Sequence, residues 1–384
     1  MLNGVVTMKI VIERNTLSDL ISNVIGAVSK NHYIEVLRCL LIECDDQCLS
    51  ITGSNIAVTI TAKSAGSYLF KNNDEADQRF ICALDAVKLN SIVKNYKKGS
   101  MSLELKDGFV TVKQGRSTFK IKSNDASHYP AEDETSNEQT RKVVDTFSIE
   151  CAVLSDLINK TQRSAAVSDV RNYLNGLCFS FSNNLKLYGT NGHTLSHAFT
   201  AINNQTEHST IIAKSMIPLL LKILNDGECS ITAYMNRVVF DINDIKLTCT
   251  VINEKTPDYD RLINSSYIDA FSVNKEQITD AVRLAATLRD GDFFGVCFTK
   301  KDNALDVYVS KENNSFDDCV EIESLSDNQF DMKLNVDYIL NALSVIEGET
   351  VTFMVADNNS TISSICLKTN EERDGLHIIM PMRN

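Results

Sequence analysis

The side chains able to do chemistry are 6 histidines, 11 cysteines and 50 carboxylates spread along 384 residues, and the first question is whether any stand at a working spacing. His193 and His197 lie four apart in GHTLSH. The run is strand-like, lacks the glutamate of H-E-x-x-H and has no third ligand beside it, so a polar contact or a pocket wall is the better reading than zinc. Cys39, Cys44 and Cys48 are the densest cysteine group, but there is no C-x-x-C pair and no histidine placed to complete a tetrahedral set. The odd cysteine count, with Cys178, Cys249 and Cys297 inside apolar runs, points to buried reduced thiols. A hydrolase pairing His193 with Asp258 or Asp169 is the enzymatic alternative. Against it, the chain has no P-loop, no G-x-G-x-x-G and no G-x-S-x-G. No metal, no cofactor and no catalytic residue is expected.

The elements that would position these groups come from composition and repetition. At 384 residues, 43% hydrophobic and 23% charged, the chain is long enough for two or three domains with real cores. No apolar run nears the roughly 20 residues that cross a bilayer, and the start MLNGVVTMKIVIERNT does not read as a signal peptide. The expected compartment is cytoplasmic. The net charge of -12 excludes an ordinary basic nucleic-acid binder, yet it is uneven. Residues 1–142 sum to about +1, 143–268 to about -2 and 269–384 to about -11.

Those three pieces are copies of one pattern. Gly99, Gly227 and Gly348 each follow an amphipathic helix and open a strand pair, and Pro130, Pro257 and Pro381 follow them by 31, 30 and 33 residues. The remaining proline, Pro218, falls in the first turn of a helix, where its missing N–H is tolerated. Each copy has two helical patterns, such as TLSDLISNVIGAV and LDAVKLNSIVKNY in the first. The rest alternates with period two between Gly, Asn and Asp turns, as in FVTVKQGRSTFKIKS, which reads as antiparallel hairpins. The expected fold class is α+β: three repeated domains at 1–142, 143–268 and 269–384, with residues 1–7 an N-terminal extension and AEDETSNEQTRK a linker. The repeat puts the terminal HIIMPMRN in register with SHYPAED and KTPDYDRLI, but does not by itself explain why it is so apolar.

Five stretches, in order, carry a family resemblance: SITGSN (50–55), DVRNYLNGLCF (169–179), YGTNGHTLS (188–196), TPDYDRLI (256–263) and the terminal MPMR (380–383). The chain resembles the bacterial sliding clamp, the beta subunit of DNA polymerase III, over nearly its whole length from Met8. The resemblance implies DNA-clamp domains, each with two helices packed on antiparallel sheets, and two chains joined head to tail in a ring. Such a ring encircles duplex DNA topologically and tethers the replicative polymerase without catalysing anything. The alternative is a clamp-fold peptide scaffold that never encircles DNA. The implied partners are double-stranded DNA, a second copy, the polymerase alpha subunit, the clamp loader, and other polymerases and repair proteins through short peptides, with no membrane.

The resemblance also assigns residues. The DNA-facing cations would be Lys30, Lys88, Lys94, Lys97 and Lys98 in the first copy, Lys160, Arg163, Arg171, Lys214 and Lys222 in the second, and Lys275 and Arg283 in the third. The peptide groove would use Leu174, Thr190, Gly192, His193, Thr194, Leu195, Pro257, Arg261, Leu262 and Ser364, with Ile378, Ile379, Met380, Pro381, Met382 and Arg383 from the tail. An apolar, methionine-bearing end suits a surface that accepts leucine and aromatic anchors from many ligands. The dimer seam would set Phe119 and Ile121 against Thr287 and Leu288. The chain departs from the family at Glu35 for a proline, Asn31 near a basic position, Ser168 for a glutamine, Thr194 for an arginine and Asn384 for an apolar end.

Overall fold

A computed structural model describes residues 8–72, 79–130, 142–202, 206–289, 291, 294–310, 314–327, 330–356, 364–368 and 375–382. The extension 1–7, most of the first linker, Arg383 and Asn384 lie outside the described residues.

The repeat is visible as element order. The first copy runs β1 (Met8–Glu13), α1 (Arg14–Val24), β2 (Cys39–Cys44), β3 (Leu49–Ser54), β4 (Val58–Ser64), β5 (Tyr68–Asn72), β6 (Phe80–Asp85), α2 (Ala86–Asn95), β7 (Ser100–Lys106), β8 (Phe109–Gln114) and β9 (Ser117–Lys122). The second runs β10 (Val143–Glu150), α3 (Cys151–Thr161), β11 (Gly176–Phe181), β12 (Asn184–Thr190), β13 (Thr194–Ala201), β14 (His208–Ala213), α4 (Ile217–Ile223), β15 (Glu228–Tyr234), β16 (Arg237–Ile242) and β17 (Ile245–Ile252), with a short α5 (Tyr259–Ile263) after it. The third runs β18 (Tyr267–Asn274), α6 (Lys275–Ala286), β19 (Gly295–Lys301), β20 (Ala304–Ser310), β21 (Ser315–Ser324), β22 (Asp331–Asn335), α7 (Val336–Leu343), β23 (Thr350–Ala356), β24 (Ile365–Lys368) and β25 (Leu376–Ile379). Apart from β5 and α5 the three orders are the same, and every strand pairing is antiparallel.

The helices form where the sequence spacing puts them, because one apolar stripe finds a sheet to cover. Leu17, Leu20, Ile21 and Val24 are the buried face of α1, and Ile278, Ala281, Val282 and Ala285 that of α6. Side-chain caps satisfy the free N–H groups at several helix starts. Asp85 accepts from Lys88 N at 2.9 Å, Asn274 from Gln277 N at 3.0 Å, and Asn335 from Asp337 N at 2.9 Å. The repeated glycines have one shared cause. Gly99, Gly227 and Gly348 have φ of 127°, 102° and 86°, left-handed turns that a side chain disfavours. Gly99 and Gly227 then offer their carbonyls to Arg14 N and Cys151 N, closing each copy's last hairpin onto its first helix.

By contacts the chain forms two compact units, and the division runs through the middle copy. One unit holds residues 1–152 and 218–250, the other 153–217 and 251–384. Each unit has a sheet that continues from one copy into the next. In the first, the order β10-β15-β16-β17-β4-β3-β2-β6 joins copies two and one, with Ile245 opposite Ala62 and Cys249 opposite Val58. In the second, β14-β11-β12-β13-β25-β24-β23-β18 joins copies two and three, with Leu195 opposite Ile378. The core of the third copy centres on Phe271, Phe330 and Phe353, all within 6.1 Å of one another by ring centroid.

Candidate functional site

The β13–β25 pairing builds the candidate groove. Successive strand residues point to opposite faces, so this pair divides its apolar residues between two tasks. Ile379 enters the core of the third copy, while Ile378 joins Leu195, Tyr188, Cys178, Ile211 and Tyr259 in a separate cluster on the opposite face. α5 is pinned over that face: Tyr188 donates to Asp260 at 2.7 Å, Lys186 Nζ donates to it at 2.8 Å, and Asp258 caps the helix by accepting from Arg261 N at 3.1 Å. This leaves Leu262 53% exposed at the edge of an opening, not covered as core.

The opening is a cavity of about 210 Å³ lined by Thr190, Gly192, His193, Thr194, Leu195, Leu262, Ser265, Tyr267, Ser364, Ile378 and Met380. Its rim is a tightly bonded turn. Asn191 Oδ1 accepts from His193 N at 2.9 Å and Thr194 N at 2.8 Å, and Thr190 Oγ1 donates to the Thr194 carbonyl at 2.6 Å. The tail is held to it by Met380 N, which donates to the His193 carbonyl at 2.9 Å. The His193 ring stacks 6.4 Å from Tyr338, at 14°. Beneath the turn Arg171 is chelated by Asp169 at 2.9 and 3.0 Å, and these bonds hold the Asp169 carboxyl down at about 2. A Cβ on Gly192 would stand 2.9 Å from the Arg171 guanidinium.

Nine of the sixteen groove residues expected from sequence therefore line one cavity. Others do not. Leu174 is 2% exposed, sealed in the 3-10 turn Asn172–Leu174, and Ile379 is core. Pro257 precedes α5 and Arg261 lies within it, neither lining the cavity, and Pro381 and Met382 pass beyond it, where Met382 N donates to the Lys333 carbonyl at 2.8 Å. Arg383 lies outside the described residues. Sequence reading missed Ser265, Tyr267 and Tyr338. Tyr267 opens β18 and Tyr338 lies in the first turn of α7, where neither stands out by type or spacing.

The expected DNA-facing cations also divide. Lys30, Lys88, Lys94, Lys97, Lys98, Arg163 and Lys222 are exposed. Burial, with Lys94 nearby, lowers the Lys222 ammonium, which donates to the Ser22 carbonyl. Lys160 departs from expectation: its side chain is 4% exposed and bridges Asp156 at 2.8 Å and Glu347 at 3.6 Å, so it is a buried tie and not an open cation. Arg171 braces the groove turn, as above. Lys214 is half-buried and donates to the Ala165 carbonyl, Lys275 donates to Ile346 O at 3.0 Å, and Arg283 lies 3.7 Å from Asp280. At the expected seam Phe119 is 45% exposed on β9, Thr287 is exposed and Leu288 half-buried, whereas Ile121 is already buried within its own copy.

The two histidines do not converge on a metal position. His193 is a groove wall, and His197 is buried with its ring stacked 4.9 Å from Tyr188 and 5.5 Å from Phe199. A larger cleft of about 730 Å³ covers β2–β4 of the first copy, where Leu41, Ile81 and Tyr129 stand among charged and hydroxyl groups such as Glu43, Lys63, Arg79, Thr52, Thr59 and Thr61.

Three α+β copies joined edge to edge by strand pairing, with an apolar groove beside the pairing of the second and third, define a DNA-clamp architecture. The comparisons agree. The family models for the N-terminal, central and C-terminal domains of the DNA polymerase III beta subunit match residues 8–133, 148–258 and 261–383. The chain belongs to the DNA polymerase III beta subunit family. It is 24% identical over 382 residues to the beta sliding clamp of Salmonella typhimurium and 26% identical over 383 to that of Pseudomonas aeruginosa, covering 98% of this chain and 100% of each relative. A crystal structure of the Pseudomonas aeruginosa sliding clamp with ligand superposes at TM-score 0.89 with 25% identity, and another, bound to griselimycin, at 0.88 with 25% identity, each covering 98% of this chain and 100% of that one. The protein is thus a DNA sliding clamp, a non-catalytic processivity subunit.

Proposed function

We propose that two copies of this chain close head to tail into a ring around duplex DNA, and that the β13–β25 groove takes short peptides from the polymerase and other partners. The observation that carries the ring is the fate of equivalent strand edges. The fourth strand of copy one (β4) pairs with the last strand of copy two (β17), and the fourth strand of copy two (β13) pairs with the last of copy three (β25). Two edges are left over by this rule. Among the described residues, β9, the last strand of copy one, pairs only with β8, and residues 315–321 of β21, the fourth strand of copy three, pair only with β20. Their charges are complementary: β9 exposes Lys120 and Lys122, and β21 exposes Asp317, Asp318, Glu321 and Glu323. Pairing β9 of one copy with β21 of another repeats the internal junction, covers Phe119 and satisfies both open edges.

Within this reading the exposed lysines of α2 and its flanks offer sequence-independent phosphate contacts, and the acidic third copy weakens binding of DNA to the outer surface. The Pseudomonas aeruginosa relative has been crystallised bound to griselimycin, which supports a ligand site on this architecture. Free thiols at all 11 cysteines suit a cytoplasmic protein. The test uses labelled protein loaded onto nicked circular DNA by its cognate loader, after which the circle is cut once. Retention on circles and loss from linear ends is expected. Equal retention on both forms, or a monomer at all concentrations, removes the ring and leaves a peptide scaffold.

A further inference from the structure

The groove is not uniformly apolar. Its lining combines the apolar side chains of Leu195, Leu262, Ile378 and Met380 with the hydroxyl-bearing residues Tyr267 and Ser364. Those two oxygens are 2.9 Å apart, one donating to the other. Each hydroxyl has one proton and can accept twice, so the bond within the pair uses a single proton and leaves the second proton and several lone pairs for something else. Both residues are half-buried, and burial raises the Tyr267 phenol above its ordinary value. An apolar ligand filling the cavity would strip water from that remaining O–H and return nothing.

We propose that the Tyr267–Ser364 pair makes this groove select a partner peptide whose anchoring aromatic residue carries a hydroxyl, tyrosine over phenylalanine. The inference rests on the groove being a peptide site. A cavity of about 210 Å³ has room for one aromatic side chain. A tyrosine ring lies against Leu195, Leu262, Ile378 and Met380 while its phenol bonds the pair. A phenylalanine ring gains the same apolar contact and leaves the pair unsatisfied. Leaving one buried hydroxyl donor unpaired lowers affinity by about tenfold or more. The two residues carry no charge and make none of the hydrogen bonds that hold the rim turn, so the preference can be removed without breaking that turn.

Fluorescence anisotropy on the full chain with two labelled pentapeptides, Ser-Leu-Ser-Leu-Tyr and Ser-Leu-Ser-Leu-Phe, tests it. The expected result is about tenfold tighter binding of the tyrosine peptide, with the ratio falling to about one or inverting in Tyr267→Phe/Ser364→Ala. Because the readout is a ratio on one protein, a general loss of affinity in the variant does not mask it. Equal affinities in the unmodified chain, or a preference for phenylalanine, overturn the proposal while leaving the groove intact. Binding of neither peptide by a chain that still melts cooperatively overturns the groove reading, and this proposal with it.

Discussion

Acid should weaken the sheet under the groove through one residue, His197. Its ring is 7% exposed, and neither nitrogen has a hydrogen-bond partner among the described residues. Burial, and secondarily the Lys186 ammonium, pushes its pKa from 6.5 to about 4, with Asp260 pulling weakly the other way. Lys368 lines a cavity together with His197, Lys186 and Asp260. The folded state therefore holds the imidazole neutral, while the unfolded chain takes up a proton near 6.5. The sign follows from linkage. The stability is fully present above the unfolded pKa, is lost as pH falls below it, and stops falling below about 4, where both states are protonated. Moving from pH 7.5 to pH 5 removes about 2 kcal/mol, and reaching pH 4 removes about 3 kcal/mol. For a cooperative unit of some 200 residues, 2 kcal/mol is a fall in Tm of about 4–8 °C. Calorimetry of the unmodified chain and of His197→Leu between pH 7.5 and 4.5 isolates the effect, since carboxylates titrate alike in both. The variant should lose less stability on acidification by about these amounts. Parallel losses in the two proteins would refute the assignment, because the histidine would then contribute nothing to the pH dependence.

Other outcomes follow from the same geometry. Leu262→Ala and Met380→Ala should weaken peptide binding with little change in Tm, because Leu262 and Met380 are 53% and 43% exposed, as titration and melting together will show. Leu174→Ala should do the opposite, destabilising by about 2–5 kcal/mol; loss of peptide affinity at unchanged Tm would place it in the groove after all. Lys120→Glu/Lys122→Glu should raise the dimer dissociation constant at least about tenfold, since two attractions at each seam become repulsions, and sedimentation equilibrium would read it; an unchanged constant removes β9 from the seam. Gly189→Ala should lower Tm sharply or prevent folding, because its Cβ would stand 2.1 Å from the Thr161 carbonyl at the end of α3; a silent substitution would mean that helix moves freely on the sheet.

Much of this fold is legible in the sequence because its signals are local. The amphipathic stripes of α1 and α6 need only their own spacing, and the glycines at 99, 227 and 348 need only a left-handed turn. The threefold repetition then multiplies weak signals into a strong one. The direction of a strand residue is also local, yet its destination is not. Ile378 and Ile379 are adjacent and alike, and only the pairing with Leu195 and Thr194 sends one to the groove and the other to a core. Sequence resemblance could not separate them, nor tell that Leu174 is sealed.

The sequence by itself determined the number of copies, the helices and hairpins within each, the absence of clustered catalytic or metal-binding groups at working spacings, and the apolar tail. Tertiary structure alone decided which cations are open. Lys160 sits on a helix face like its neighbours, but Asp156 and Glu347 close around it, and Glu347 is 187 residues away. It alone also brought Tyr267 to Ser364, and decided which strand edges are used and which are left over. These are facts about pairs of residues distant in the chain. No pattern along the sequence encodes them singly, because hydrogen bonding and desolvation act on what is near in space.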